Sequence, residues 1–258
     1  MKPEFDIDHT SFAVQDAMGW ARRLRRELGA VPVCGEVLAE FRYLLLYVGT
    51  ADAGGRLELL EPVGAGFLSR FLSARGEGPH HLTFTVPDLA TAVRQVRSLG
   101  LTVVGESYDH PAWREAFVLP DAVHRTVIQL AQSDKAYPDP RELVESSVRD
   151  PSAMPDVAGA TEPLWWTPLW DTAVEVSPAS LGPTHLGSGD PALSRRLFED
   201  VLGAQVSERD GSMEYTWPSG SIRVHGGGAP GITGITGISL YGGPAEGVAI
   251  GSCRLAGK

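Results

Sequence analysis

Two stretches of alternating apolar and polar residues, DIDHTSFAV (6–14) and HHLTFTV (80–86), are each followed by an amphipathic segment of helical period. In the first case Met18, Trp20, Ala21, Leu24 and Leu28 recur at helical spacing along DAMGWARRLRRELGA (16–30), with Asp16 as N-cap and Gly29 as stop. Three strand patterns follow, VPVCGEV (31–37), FRYLLLYVG (41–49) and RLELLEP (56–62), the last two joined by the hairpin turn GTADAGG. After a short connection, FLSRFLSARGEG (67–78), the order restarts. HHLTFTV is a strand, DLATAVRQVRSLG (88–100) a capped helix, and LTVVGESY, REAFVLP and TVIQLAQ are three more strands. Both copies read β-α-β-β-β, and this internal repeat constrains the fold more than any other feature.

The pattern then changes. From 134 to 182 the chain is proline-rich with one short helical stretch near 141–149, and reads as a linker. Trp165, Trp166 and Trp170 are too apolar for a free tether and are expected to dock on a folded surface as a clamp. A third copy opens at THLGSG (184–189), continues through the helix DPALSRRLFEDVLGA (190–204), and ends in QVSER, SMEYTW and SIRVHG. There Asp190 is the N-cap, Pro191 holds the first helical position and Gly203 is the stop. A fourth copy starts with GITGISLYGG (234–243) but lacks a helix, and GVAIGSCRLAG (247–257) reads as one last strand. The expected class is α+β. Residues 1–134 form a paired βαβββ domain, 135–182 a linker, and 183–258 a third, partly degenerate module.

Strand alternation sorts the side chains by face. His9, Ser11 and Ala13 share one face of the first strand, and Thr10, Phe12 and Val14 the other. His81, Thr83 and Thr85 likewise oppose Leu82, Phe84 and Val86. The bulky sets belong under the helices, so each histidine lies on a face of small and polar residues. The closing strands carry matching breaks, Glu58 in RLELLEP and Gln129 in TVIQLAQ. If each module lends its first and last strands to one cavity, the cavity holds His9, Glu58, His81 and Gln129. Two imidazoles, a carboxylate and an amide oxygen suit one divalent ion: Fe, Co, Ni, Mn or Zn.

These residues, with LELLEP and FLSARGEGPHHLTFTV, resemble the vicinal oxygen chelate superfamily. That superfamily includes glyoxalase I, methylmalonyl-CoA epimerase, extradiol dioxygenases and the fosfomycin and bleomycin resistance proteins. The similarity is strongest to the epimerase-like and glyoxalase-like members, and covers 5–133 well and 183–241 less well. It implies a cup-shaped, half-open eight-stranded barrel with metal ligands at His9, Glu58, His81 and Gln129. His81 is in phase with its strand, whereas His80 reads as a spectator. The resemblance also implies an enolate-like intermediate on a small carbonyl or acyl substrate, in an epimerase, isomerase or lyase. Relatives of this kind commonly have Glu where Gln129 stands, and Gln cannot act as a base. Two alternatives remain open: an Fe(II)-dependent ring-cleaving dioxygenase, and a resistance-type protein that sequesters a small molecule. In the third copy His185 takes the place of His9, Arg223 that of Glu58 and Gly237 that of His81, so that copy is read as non-metallated.

Proton transfer needs a mobile group, and the candidates are Glu58, Glu40 and His110. Arg114, Tyr108 and Trp113, in the neighbouring segment SYDHPAWREAF, are candidate substrate contacts, and His124 reads as a loop residue. A net charge of −10 argues against nucleic acid as a partner. Cys34 and Cys253 lack metal-knot spacing and suggest a reducing compartment. No apolar run reaches membrane-spanning length and the first residues lack a signal-peptide core, so a cytoplasmic protein is expected. No Gly-rich phosphate loop is present, and the lack of a GxSxG elbow and of a nucleophilic cysteine setting argues against covalent catalysis. Homodimerisation is an expectation carried by the resemblance and by the incomplete fourth copy.

Overall fold

The computed structural model describes residues 5–121, 123–135, 137, 139–145, 160–226 and 234–257. The first module runs β1 (Asp6–Ala13), α1 (Ala17–Leu28), β2 (Val31–Val37), β3 (Phe41–Gly49) and β4 (Gly54–Pro62). A helix α2 (Phe67–Arg75) leads to the second: β5 (Gly78–Thr85), α3 (Leu89–Ser98), β6 (Val103–Ser107), β7 (Arg114–Val118) and β8 (Val127–Gln132). The linker contains α4 (Glu142–Glu145) and a 3-10 turn (Thr167–Asp171). The third module is β9 (Ser180–Ser188), α5 (Pro191–Arg195) continued by a π-helical stretch (Arg196–Val201), β10 (Gln205–Arg209), β11 (Ser212–Trp217) and β12 (Gly220–Gly226). Last come β13 (Gly234–Tyr241), β14 (Val248–Ile250) and β15 (Cys253–Gly257). The strands form two open mixed sheets, β2-β3-β4-β1-β5-β8-β7-β6 and β10-β11-β12-β9-β13-β15-β14. The expected α+β class of tandem βαβββ modules is what the chain adopts.

Local chemistry explains the boundaries. Asp16 caps α1 by accepting from the Gly19 amide at 2.8 Å, and Gly29 ends the helix in the left-handed region at φ 72°. Asp88 and Asp190 cap α3 and α5 in the same way. Three differences from the sequence pattern emerge. The connection 67–78 contains the helix α2, because the Gly66 amide donates to Ser69 Oγ at 2.9 Å and Leu68 and Leu72 are buried. The segment 247–257 is a hairpin of two strands rather than one, turned at Gly251 with φ 57°. The third-module helix α5 widens to π winding from Arg196, with Leu197, Phe198 and Val201 all buried. Of the helix expected near 141–149, residues 146–149 lie outside the described residues, as does most of the glycine-rich stretch 226–237.

Packing divides the chain into two units, and β1 contributes to both. One unit comprises the start of β1, the second module and the third module up to Ile238. Its core joins Leu82, Phe84 and Leu130, and Val93 and Val96 of α3, to Leu186, Phe198, Tyr215 and Trp217. The Phe84 ring lies 5.0 Å from that of Trp217. The other unit comprises the rest of the first module, the linker and the terminal strands. There Phe12, Leu44, Leu46, Leu57 and Leu59 are fully buried, as are Ala17, Ala21, Leu24 and Leu28 of α1. On the opposite face Leu60 and Ala13 pack on Leu68 and Leu72 of α2, and Leu45 and Tyr47 pack with Val144 of α4.

The linker docks on the first module, as its tryptophans suggest. Thr161 forms an antiparallel bridge with Val37. Trp166 is 1% exposed and donates its indole N–H to the Pro163 carbonyl at 2.8 Å. Arg25 of α1 donates to the Thr172 carbonyl at 2.7 Å. Among the described residues no helix is long and apolar enough to cross a membrane.

Candidate metal centre

The site is built on β1 and β5 and on the last strand of each of the first two modules. Parallel registry places Ser11 opposite Glu58 and Thr83 opposite Gln129. His9 precedes Ser11, and His81 precedes Thr83, by two residues, so each histidine shares the face of its partner. His9 of the first module and His81, Thr83 and Gln129 of the second are all sequestered. His9 and His81 are each 6% exposed, Gln129 is 7% and Thr83 is closed to solvent.

Each ring is turned by a hydrogen bond. Asp8 Oδ1 lies 2.7 Å from His9 Nδ1, and the other ring nitrogen, Nε2, lies 2.9 Å from Thr83 Oγ1. His81 Nε2 lies 3.1 Å from Gln129 Oε1, which also accepts from Thr83 Oγ1 at 2.7 Å. The rings of His9 and His81 meet edge-on, with centroids 5.9 Å apart. Glu58 accepts from Ser11 Oγ at 2.6 Å. One ligand atom from each of His9, Glu58 and His81 lies within 4.8 Å of the others, the only such group of three among the described residues. Two imidazole nitrogens and a carboxylate oxygen are the donors that Zn, Fe, Co, Ni or Mn accepts, and the Gln129 oxygen is aimed toward His81. The residues present therefore fit a divalent ion.

Two carboxylates around this set are missing from the sequence reading. One is Asp8. The other is Glu115, whose Oε2 accepts from Gln129 Nε2 at 2.7 Å and from Trp113 Nε1 at 3.2 Å. Antiparallel registry pairs Phe117 with Gln129 and Glu115 with Ala131, which puts Glu115 on the Gln129 face. The available signal was parity: Glu115 and Phe117 alternate in REAFV and so share a face. On the first module's polar face, Glu36 is 5% exposed and accepts from Tyr43 Oη at 2.9 Å. Burial is the main cause that pushes the Tyr43 phenol well above its ordinary range, with Cys34, Glu36 and Glu58 adding to it.

The other candidates are dispersed. Glu40 is exposed at the β2–β3 turn, with its carboxylate against Gly66. His110 lies in the turn before β7, its Nδ1 buried without a hydrogen bond. Tyr108 is 40% exposed and donates to Glu106. Arg114 turns its fork onto Asp134, with Nη1 2.7 Å from Oδ1. His80, read as a spectator, packs against the rings of Phe71 at 4.8 Å and Phe67 at 5.7 Å. Burial pushes its pKa down to about 4, against the opposing pull of Glu58. His124 stands in a turn, as its sequence setting suggests, but is buried there with Nε2 2.9 Å from Ser194 Oγ.

The third module departs from the sequence alignment in one respect. Its registry places Arg223 opposite His185 and His225 opposite Gly187. The counterpart of Glu58 and Gln129 is therefore His225, not Arg223. His185 Nδ1 is 2.8 Å from His225 Nε2, and the two rings are stacked at 17°. Arg223 meanwhile pairs with Glu214 at 2.6 Å.

Residues 7–117 match the model of the Glyoxalase/Bleomycin resistance protein/Dioxygenase superfamily. No protein of curated function matches the chain. Similar solved structures include methylmalonyl-CoA epimerase from Mycobacterium tuberculosis, at 25% identity and TM-score 0.45, covering 50% of this chain and 88% of that one. A single-residue variant of methylmalonyl-CoA epimerase from Streptomyces coelicolor, in complex with 2-nitronate-propionyl-CoA, gives 25% identity and TM-score 0.45, covering 51% and 96%. A hypothetical protein from Bacillus halodurans gives 19% identity and TM-score 0.47, covering 52% and 99%. The match to that superfamily model thus lies within the first two βαβββ modules, from β1 to β7.

Proposed function

We propose that this chain is a divalent-metal-dependent enzyme that takes a small carbonyl or acyl substrate through an enolate-like intermediate, as an epimerase, isomerase or lyase. Residues 1–134 carry the chemistry, with the metal held by His9, Glu58, His81 and Gln129. The linker 135–182 braces the first module, and 183–258 is a module outside the metal chemistry. The observation that supports this reading is the approach of His9, Glu58 and His81 ligand atoms to within 4.8 Å.

A bound divalent ion supplies electrophilic polarisation of a substrate oxygen and so acidifies the adjacent C–H. The protein's own residues do the rest. Asp8 fixes the His9 tautomer, and near-complete burial of both imidazoles keeps water from competing. Gln129 is neutral and takes no proton. Glu58 is the carboxylate in place to take one, with Ser11 donating to it at 2.6 Å. Glu40 is too exposed to rival it. His110 stands in reserve with Tyr108 and Trp113 at the β6–β7 connection, where we assign substrate contact. Arg114 serves that wall through Asp134.

The test is α-proton exchange on an α-branched acyl thioester in D2O. Exchange that disappears with a chelator and returns with added metal is expected. Exchange indifferent to the chelator, or metal-independent retention of the thioester without exchange, contradicts the reading. A second reading has a specific observation in its favour: two imidazoles and one carboxylate are also the donor set of Fe(II) oxygenases. It predicts Fe(II)-dependent oxygen consumption with a catechol, which the first reading does not.

A further inference from the structure

A glutamine ligand has a problem that a carboxylate does not. Its two terminal atoms are an oxygen that binds a cation and an NH2 group that repels one, and rotation by half a turn exchanges them. Something must hold the oxygen inward. The Gln129 oxygen meets His81 Nε2 at 3.1 Å and Thr83 Oγ1 at 2.7 Å, both on β5. Thr83 does not decide the orientation alone, because a hydroxyl donates to an oxygen or accepts from an NH2. Glu115 Oε2, 2.7 Å from Gln129 Nε2, does decide it. A carboxylate accepts only, so the group facing Glu115 must be the NH2 and the group facing His81 must be the oxygen. Glu115 is in turn held by the Trp113 indole N–H at 3.2 Å.

We infer that Glu115 is a positioning residue that locks the Gln129 amide with its oxygen toward the metal site. It places a carboxylate one hydrogen bond behind a neutral ligand, as Asp8 does for His9. The arrangement distributes over two residues, Gln129 and Glu115, the charge and the oxygen donor that a single carboxylate ligand would combine. It also withholds that carboxylate from direct proton transfer. The inference rests on the metal reading above.

The test uses Co(II) as probe, in the full-length protein. Glu115→Gln keeps shape and volume but lets the Gln129 amide rotate, since the introduced side chain offers both an oxygen and an NH2. Co(II) affinity is expected to fall by roughly 10–100-fold, with a changed visible d–d spectrum and an unchanged Tm. The double variant Glu115→Gln/Gln129→Glu is expected to recover affinity. Either oxygen of the introduced carboxylate can ligate, and the introduced amide can donate to the other. In metal-free protein, the Gln129 side-chain NH2 signals should exchange slowly in the wild type and faster in Glu115→Gln. Wild-type Co(II) binding with no loss in Glu115→Gln, or unchanged NH2 exchange, overturns this inference alone. A wild type that binds no Co(II) overturns the metal reading and this inference with it.

Discussion

The identity of the nitrogen that His9 turns toward Thr83 is set by a neighbour in sequence. Asp8 lies 2.7 Å from Nδ1, an arrangement that directs Nε2 toward a metal as the ligating nitrogen and raises the basicity of the ring. Asp8→Ala should therefore weaken Zn(II) binding by roughly 10–100-fold in a competition titration, with little change in secondary structure by circular dichroism. His80, adjacent in sequence to a proposed ligand, is a different case. Its pKa in the fold, about 4, lies below the ordinary value of 6.5. Between those values the unfolded chain takes up a proton that the folded chain does not, so unfolding gains as pH falls. The stability His80 contributes is complete above about pH 6.5 and is lost on the way down to about 4. In metal-free protein the urea midpoint of His80→Gln should fall less steeply over that range than that of the wild type. Parallel slopes for the two proteins would remove this account of His80.

At the scale of elements, the linker is a structural part of the first module. Trp166 is buried at 1% exposure with its indole N–H satisfied, its ring meets Trp170 at 5.1 Å, and Thr161 extends the edge at Val37. Truncating such a ring leaves a cavity, so Trp166→Ala should cost about 3–5 kcal/mol in urea unfolding. A cost below about 1 kcal/mol, nearer to an ordinary surface change, would show that the tryptophan is not a clamp. Element boundaries were legible wherever a cap or period marked them: β2, β3, β10 and β11 fall on the predicted residues, and Asp16, Asp88 and Asp190 cap as expected. The helix α2 was not legible, because its signal is a glycine N-cap and a single Ser69 rather than an acidic cap. Nor was the fixing of His124 by Ser194, since hydrogen bonds between residues 70 apart leave no periodic trace.

At the scale of the molecule, the repeat made the candidate ligands readable, because strand alternation alone separates His9 and His81 from the bulky residues that pack under helices. The residues that serve those ligands were not readable in the same way. Glu115 reaches Gln129 only through the β7–β8 registry, and a one-residue shift there would turn it to the other face. Registry likewise moves the third-module counterpart of Glu58 from Arg223 to His225. The central claim is that His9 and His81 share one ion with Glu58 and Gln129, and metal analysis of purified protein tests it most directly. Elemental analysis of wild type and of His9→Ala/His81→Ala, each loaded with metal and desalted, should find a stoichiometric divalent ion in the first and none in the second. A wild type that retains no divalent ion, or a double variant that retains as much, would contradict it.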